Sequence, residues 1–332
     1  MHGKELGEKD MKNICMLATG GTIACRKGAD GMRPSIAGQA LAAHLPAMHE
    51  AAFDAVELFA LDSSNLAPHH WQEMARAVAA RREAYDGFIV THGTDTMAYT
   101  AAALSIMLAH IDVPVVLTGS QLSVEEVGSD AQQNLQIAAH AAVSGRAGVF
   151  VAFGGQLIEG ARARKLCTEQ FAAFASIGAP AAALFHGGRL HWQKEWAAPK
   201  EPFHLRDALD TRVAVLKLVP GASAELLRAL VNTGYRAVIL EGFGAGGVPT
   251  DAAEESFIAA LDYARSQDVA VVATTQCVYD GAHLSRYENG VLALRHGAVS
   301  GGAHTTEYLY AWAMAELGEH GCVRLSGTSE IA

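Results

Sequence analysis

The sequence predicts an α/β fold: a larger N-terminal doubly wound domain with a mixed, mostly parallel sheet, and a smaller C-terminal α/β domain with a parallel sheet. Three observations predict it. Short β-branched runs ending in Gly, Thr or Ser alternate with Ala-rich stretches of helical length, the pattern of a parallel sheet with crossover helices. The 332 residues are enough for two domains at roughly 150 residues each. Between positions 186 and 212 the pattern breaks, because His191, Trp192, Trp196, Pro199 and Pro202 fall there without a period. The predicted division is a domain over 1–190, a linker over 191–212 and a second domain over 213–332.

Strands are expected over 13–18, 56–61, 87–91, 113–118 and 148–153, each an apolar run closed by turn residues. Helices are expected between them over 38–45, 70–84, 99–111 and 130–144. The 98–111 stretch is apolar for only 14 residues and includes Tyr99, Thr100, Ser105 and His110, so it reads as a buried helix. A membrane span needs about 20 apolar residues. In the second domain, strands over 212–217, 237–240 and 269–274 alternate with helices over 222–233, 251–267 and 305–316. Periodicity does not assign strand direction, and the larger sheet is expected to be mixed toward its edge.

Composition excludes several classes of function. Half the residues are hydrophobic and 18% are charged, which rules out a disordered chain. The balance of 25 Lys plus Arg against 35 Asp plus Glu leaves a net charge of −10, with no basic stripe to neutralise phosphates. Neither nucleic acid nor a membrane is an expected partner. The five cysteines, Cys15, Cys25, Cys167, Cys277 and Cys322, lie far apart with no C-x-x-C pair and read as buried free thiols. The first thirteen residues are charged and the apolar run after them is too short for a signal-peptide core, so the expected location is the cytoplasm.

Ligands of α/β sheets bind beyond the carboxyl ends of the strands. Four turns at such ends are rich in hydroxyls: Thr19-Gly20-Gly21-Thr22, Asp62-Ser63-Ser64-Asn65, His92-Gly93-Thr94-Asp95-Thr96 and Gly119-Ser120-Gln121. Other motifs lose their force on inspection. Gly242-x-Gly244-x-x-Gly247 has the form of a dinucleotide fingerprint, but the next strand ends in Thr275-Gln276-Cys277 with no acid to hold a ribose, so these read as turn glycines. The first turn lacks the lysine of a phosphate loop. No histidine sits at His-x-x-x-His spacing or near a ligating Cys and no G-x-S-x-G elbow occurs, so a metal site is not indicated and most histidines read as surface or cap residues. Thr94-Asp95 alone reads as a helix cap, and the Lys165 region as a solvated charge run. As a set, the hydroxyls with one acid and one lysine suit a Thr nucleophile activated by a neutral Lys.

These residues closely resemble the bacterial L-asparaginase family, above all its cytoplasmic type I branch, over nearly the whole chain. The resemblance is carried by Ala18-Thr19-Gly20-Gly21-Thr22-Ile23-Ala24, Asp62-Ser63-Ser64, Tyr85-Asp86-Gly87-Phe88, His92-Gly93-Thr94-Asp95-Thr96-Met97-Ala98-Tyr99-Thr100, Thr118-Gly119-Ser120-Gln121 and Thr275-Gln276-Cys277. The first and fourth of these match the family's two signature stretches. The resemblance implies that the 1–190 domain is catalytic, with Thr22 as nucleophile and Thr94, Asp95 and Lys165 as a second catalytic group. Lys165 closes Gly160-Ala161-Arg162-Ala163-Arg164-Lys165, which has the family's glycine-to-lysine spacing. Ser63 matches the position that receives the substrate α-carboxylate, and Asp95 the one that faces its α-ammonium. Gly21, Ser64, Gly93 and Ser120 match pocket positions.

The activity implied is hydrolysis of L-asparagine to L-aspartate and ammonia, with no metal or organic cofactor, by a homodimer or homotetramer. Thr22 attacks the amide carbon, backbone N–H groups near Gly21 and Thr94 hold the oxyanion, and a neutral Lys165 draws a proton through Thr94. Three positions depart from the family pattern: Met32 where a loop tyrosine is usual, Gly247 where a partner protomer usually offers an asparagine, and Glu241 where regulated type I enzymes carry an arginine. Alternatives are the same chemistry on glutamine or an amino-modified asparagine, and a non-catalytic binding protein on this fold.

Overall fold

The structure, a computed structural model, describes residues 11–29, 31–251, 256–324 and 331. Positions 1–10 of the charged N-terminal segment and 252–255 of the expected 251–267 helix lie outside the described residues. The chain forms two compact units. The first runs to Ser176 and resumes over Pro180–Leu205; the second takes Ile177–Ala179 and the chain from Arg206.

In chain order the first unit carries β1 (Lys12–Gly20), β2 (Cys25–Gly28), β3 (Gly31–Pro34), α1 (Gly38–Ala42), β4 (Ala51–Leu61), α2 (Pro68–Arg81), β5 (Gly87–Thr91), α3 (Met97–Met107) and β6 (Leu108–Ala109). It continues with β7 (Pro114–Thr118), α4 (Ala131–Ala142), β8 (Gly148–Phe153), β9 (Gln156–Glu159), β10 (Ala163–Lys165), β11 (Phe174–Ser176), β12 (Ala183–His186), β13 (Arg189–Trp192) and β14 (His204–Leu205). Eight of these strands make one sheet in the order β13-β12-β9-β8-β7-β5-β1-β4. Strands β4, β1, β5, β7 and β8 are parallel, and from β8 outward the pairings with β9, β12 and β13 are antiparallel, which is the mixed edge the sequence predicts.

The central strands β5 and β7 are buried at every position. Strands covered on both faces read as unbroken apolar runs, and 87–91 and 113–118 were expected as strands on that ground. One apolar core gathers Ile14, Met16, Ile89, Val116, Leu135 and Phe150, so alternate residues of the parallel strands meet the small side chains of α4. Helix α3 is buried nearly all round; it stops at Met107, and the last residues of the expected 99–111 helix form β6, which pairs with β14.

The antiparallel edge is marked in the sequence by two glycine pairs. Gly154-Gly155 separates β8 from β9 and Gly187-Gly188 separates β12 from β13, and all four glycines have positive φ. Two-residue hairpin loops of that kind need φ > 0 at both positions, which only glycine adopts freely. Within the 191–212 stretch, β13 ends at Trp192 and Trp196 packs 5.1 Å from the Phe150 ring, its Nε1 donating to the Ala147 carbonyl at 2.7 Å. Aromatic residues without a sequence period are held there by the sheet edge.

The second unit carries β15 (Val213–Lys217), α5 (Glu225–Asn232), β16 (Ala237–Gly242), α6 (Ile258–Ser266), β17 (Ala270–Thr275), α7 (Glu288–Arg295), β18 (Ala298–Ser300) and α8 (Thr306–His320). Its four-stranded sheet is parallel in the order β15-β16-β17-β18. Gly244 and Gly246 have positive φ in the turn after β16, where Phe243 bridges Gly247, so the glycines serve the turn. The thiols need a correction. Cys15 and Cys25 are buried, Cys167 is half-buried, and Cys277 and Cys322 are exposed, because the last two sit in turns beyond β17 and α8 rather than inside elements.

Candidate active site

Four parallel strands deliver four turns to one edge of the first unit, and glycine lets their backbones touch. Gly20 and Gly21 have φ of 101° and 81°. A Cβ on Gly20 would lie 2.5 Å from Leu61 N at the end of β4, and one on Gly21 would lie 2.2 Å from Gly93 N beyond β5. Gly93 is as tightly placed, since its own Cβ would lie 2.6 Å from Ser63 Oγ. Gly21 therefore meets the Gly93 backbone, and Gly93 the Ser63 side chain, at approaches that no larger residue permits. Thr22 follows Gly21 at the head of a 3-10 turn whose Ile23 and Ala24 are buried, which anchors the turn while Thr22 itself stays half-buried.

The second group is closed by Lys165 at the end of β10. Lys165 Nζ donates to Thr94 Oγ1 at 2.8 Å and to Asp95 Oδ1 at 2.6 Å across 71 and 70 positions of sequence. Its side chain is 16% exposed and that of Asp95 is 65% exposed. Thr94 and Asp95 thus do not cap α3, the plain reading of their place before it. The cap position falls to Thr96, which makes no side-chain cap bond and instead donates Oγ1 to the Ser63 carbonyl at 2.8 Å. Lys165 likewise is no part of a solvated charge run, because its stem is covered.

Two pocket residues are turned elsewhere. Ser64 donates its N–H and Oγ to Asp62 Oδ1 at 2.8 and 2.5 Å, and Ser120 donates its hydroxyl to the Leu122 carbonyl. The Ser64 hydroxyl and then its N–H hold the Asp62 carboxyl below the usual carboxylate range. The Gly21 N–H is committed to the Leu61 carbonyl at 3.0 Å, so it is not a donor waiting for an oxyanion. Met32 lies on β3, paired with Lys27 in the β2–β3 hairpin and 48% exposed.

Behind the turns lies a buried polar frame that sequence reading missed. Asp130 accepts the Gln121 N–H at 3.0 Å, the Leu122 N–H at 3.3 Å and Asn134 Nδ2 at 3.0 Å. Asn134 also donates to the Gly119 carbonyl at 2.9 Å and accepts the Gly154 N–H at 3.0 Å. Two polar residues one helical turn apart at the start of an apolar helix were the available signal.

His92 is an exception to the reading of most histidines as surface or cap residues: it is fully buried. Its Nδ1 is 2.7 Å from the Gly93 carbonyl, which only accepts, so Nδ1 carries the proton. Nε2 then accepts from Thr100 Oγ1 at 2.9 Å, and Thr100 in turn accepts Trp71 Nε1–H at 3.1 Å. Burial pushes the imidazole down from its ordinary value to about 4, partly offset by the Gly93 carbonyl. Between pH 6.5 and 4 the unfolded chain takes a proton that the native ring refuses, so this residue's stability contribution is lost as pH falls through that window. It should cost about 3 kcal/mol by pH 4. Urea unfolding at pH 7, 5.5 and 4 checks this, with His92→Asn expected to flatten the dependence by about that amount. An unchanged slope in the variant would remove His92 from the account.

Among the described residues, no helix is long and apolar enough to cross a membrane. Also among them, no group of three His, Cys, Asp or Glu side chains is placed to hold a metal ion.

Comparison with known proteins bears on the whole chain. Residues 13–198 match the family model described as asparaginase, N-terminal, and residues 212–321 the glutaminase/asparaginase C-terminal domain. The solved structure of the thermostable L-asparaginase from Thermococcus kodakarensis superposes with a TM-score of 0.87 at 35% identity, covering 92% of this chain and 93% of that one. L-asparaginase 1 of Escherichia coli is 34% identical over 306 residues, 89% of this chain and 88% of that protein. One component of the glutamyl-tRNA(Gln) amidotransferase of Pyrococcus furiosus is 35% identical over 305 residues, 88% of this chain but 68% of that protein.

Proposed function

The chain belongs to the asparaginase family, and from that premise we propose that it hydrolyses the side-chain amide of L-asparagine to L-aspartate and ammonia as a type I, cytoplasmic enzyme. The observation that carries the reading is the contact of Lys165 Nζ with Thr94 Oγ1 and Asp95 Oδ1 at the mouth of the Gly21–Gly93–Ser63 approach. In this reading the 1–190 domain is catalytic, and Thr22 Oγ attacks the amide carbon. Lys165 in its neutral form takes the Thr22 hydroxyl proton through Thr94 and returns it by the same route to the amide nitrogen, which leaves as ammonia as the C–N bond breaks. Water then attacks the acyl-Thr22 ester and releases aspartate.

With the Gly21 N–H bonded to Leu61, the donors proposed for the oxyanion are the backbone N–H groups of Thr22 and Thr94. Ser63 takes the α-carboxylate and Asp95, the more exposed of the ion pair, faces the α-ammonium. No metal or organic cofactor enters these steps, and turnover is expected to survive a strong chelator. The assembly proposed is a homodimer or homotetramer, which light scattering of the purified protein measures.

The test is a panel of amides assayed for ammonia release. Release from L-asparagine supports the reading; release only from L-glutamine or an N-substituted asparagine moves the substrate to the second reading. Tight binding without release in every case would leave a binding protein.

Glu241 is 8% exposed and its Oε1 accepts Thr306 Oγ1 at 2.6 Å, so this anion is turned into its own unit. It offers no bidentate clamp for a carboxylate such as an arginine provides. The response of rate to asparagine concentration is therefore expected to be hyperbolic, and a Hill coefficient clearly above one would count against this.

A further inference from the structure

Gln121 ends the turn after β7 and bonds in four directions. Its backbone N–H donates to both Asp130 carboxylate oxygens, at 3.0 and 3.1 Å. Its Nε2 donates to the Thr168 carbonyl at 2.9 Å and to the Gln170 carbonyl at 3.1 Å, in the loop that leaves β10 just after Lys165. Both amide hydrogens are thereby used, and only one orientation of the amide satisfies two carbonyl acceptors. That orientation turns Oε1 to Thr94 Oγ1, which donates to it over a long 3.4 Å.

The Thr94 hydroxyl has a single proton. While Lys165 is an ammonium it donates to Thr94 Oγ1, so the Thr94 proton must point to another acceptor, and Gln121 Oε1 is that acceptor. When Lys165 is neutral its lone pair competes for the same proton. The hydroxyl then swings from Gln121 to Lys165, and a Thr94 lone pair is released toward the nucleophile.

We infer that Gln121 is a positioning residue of the proposed amidohydrolase: it parks the Thr94 hydroxyl proton in the resting state and fixes the loop behind Lys165, so that the Thr94–Lys165 contact is preset. The inference rests on the proposed function but not on which amide is cleaved. Its frame is rigid because Asp130 is itself held by the fully buried Asn134. The charged groups known to meet this cluster are Asp95 on Lys165 and Asp130 on the Gln121 backbone.

Two variants test it. Gln121→Met keeps the length of the side chain and removes both acceptor and clamp, and kcat is expected to fall at least about tenfold with KM within about threefold. Gln121→Glu places a carboxylate against Thr94 and, through it, the Lys165 ammonium, so the pH of half-maximal kcat is expected to rise by at least about half a unit. A residue that only braced a loop would raise KM or lower Tm and leave that pH unchanged, and this result overturns the inference. Wild-type ammonia release across the amide panel is measured first, and its absence is a failure of the functional reading alone. Gln121 is then judged by the 15Nζ resonance of Lys165, assigned by its loss in Lys165→Met. A titration midpoint that rises in Gln121→Glu supports the assignment, and one that stays in place overturns it.

Discussion

Thr22→Ala and Thr94→Ala are each expected to lower kcat for L-asparagine by roughly 10³-fold or more, and the double variant to be scarcely worse than either alone. The argument is geometric. Thr22 heads a 3-10 turn pinned by the buried Ile23 and Ala24, and Gly21 before it lies against Gly93, one residue from Thr94. Two hydroxyls set on touching backbones act as one unit, and removing a second member of a unit already broken costs little. Neither substitution reaches the apolar core. Thr94→Ala gives up its contacts with Lys165 and Gln121, worth about 1–3 kcal/mol together. Both variants should therefore unfold within a few degrees of the parent in a calorimeter. Near-normal turnover by Thr22→Ala would remove it as the nucleophile, and independent, multiplicative losses would mean that the two threonines serve different steps.

The turns that build this site were legible because strand ends are legible. A buried parallel strand reads as an unbroken apolar run, and where the run of β1, β5 or β7 stops, the next residues lie at the carboxyl edge of the sheet; the edge strand β4 is only partly buried and is read from the apolar stretch over 56–61. Thr22, Ser63, Thr94 and Ser120 could be gathered on that ground before any contact was known. Lys165 could not. It arrives on a three-residue strand in the stretch after β9, and nothing local distinguishes Arg162, Arg164 and Lys165 from surface cations. Only the family's glycine-to-lysine spacing singled it out.

The frame behind the site was illegible for a related reason. Asp130, Asn134 and Gln121 are polar residues whose partners are backbone groups of distant turns, and a hydrogen bond from Asn134 to Gly119 leaves no trace in periodicity. His92 shows the same limit, since a single histidine after an apolar strand suits a cap as well as a buried neutral ring. The antiparallel edge, by contrast, is marked by two Gly-Gly pairs, but β9, β12 and β13 are only four residues long, too short for a strand pattern to stand out.

Lys165→Met should abolish most of the turnover, again by roughly 10³-fold or more, while changing stability by no more than about 1 kcal/mol. The backbone of Lys165 is fixed independently of its charge, because it pairs with Phe174 on β11 and Phe174 packs 4.9 Å from the Phe153 ring. Asp95 is 65% exposed, so the ion pair it loses is largely solvated on one side and adds little to folding. The decisive comparison is Lys165→Arg. A guanidinium keeps the positive charge beside Asp95 and keeps donors for Thr94, but it cannot give up its proton near neutral pH. If Lys165 works by accepting a proton through Thr94, arginine should be nearly as poor as methionine at every pH where the fold is stable. Recovery of most of the rate by Lys165→Arg would show instead that the position contributes only charge, and the proton acceptor would have to be sought elsewhere around Thr22 and Thr94.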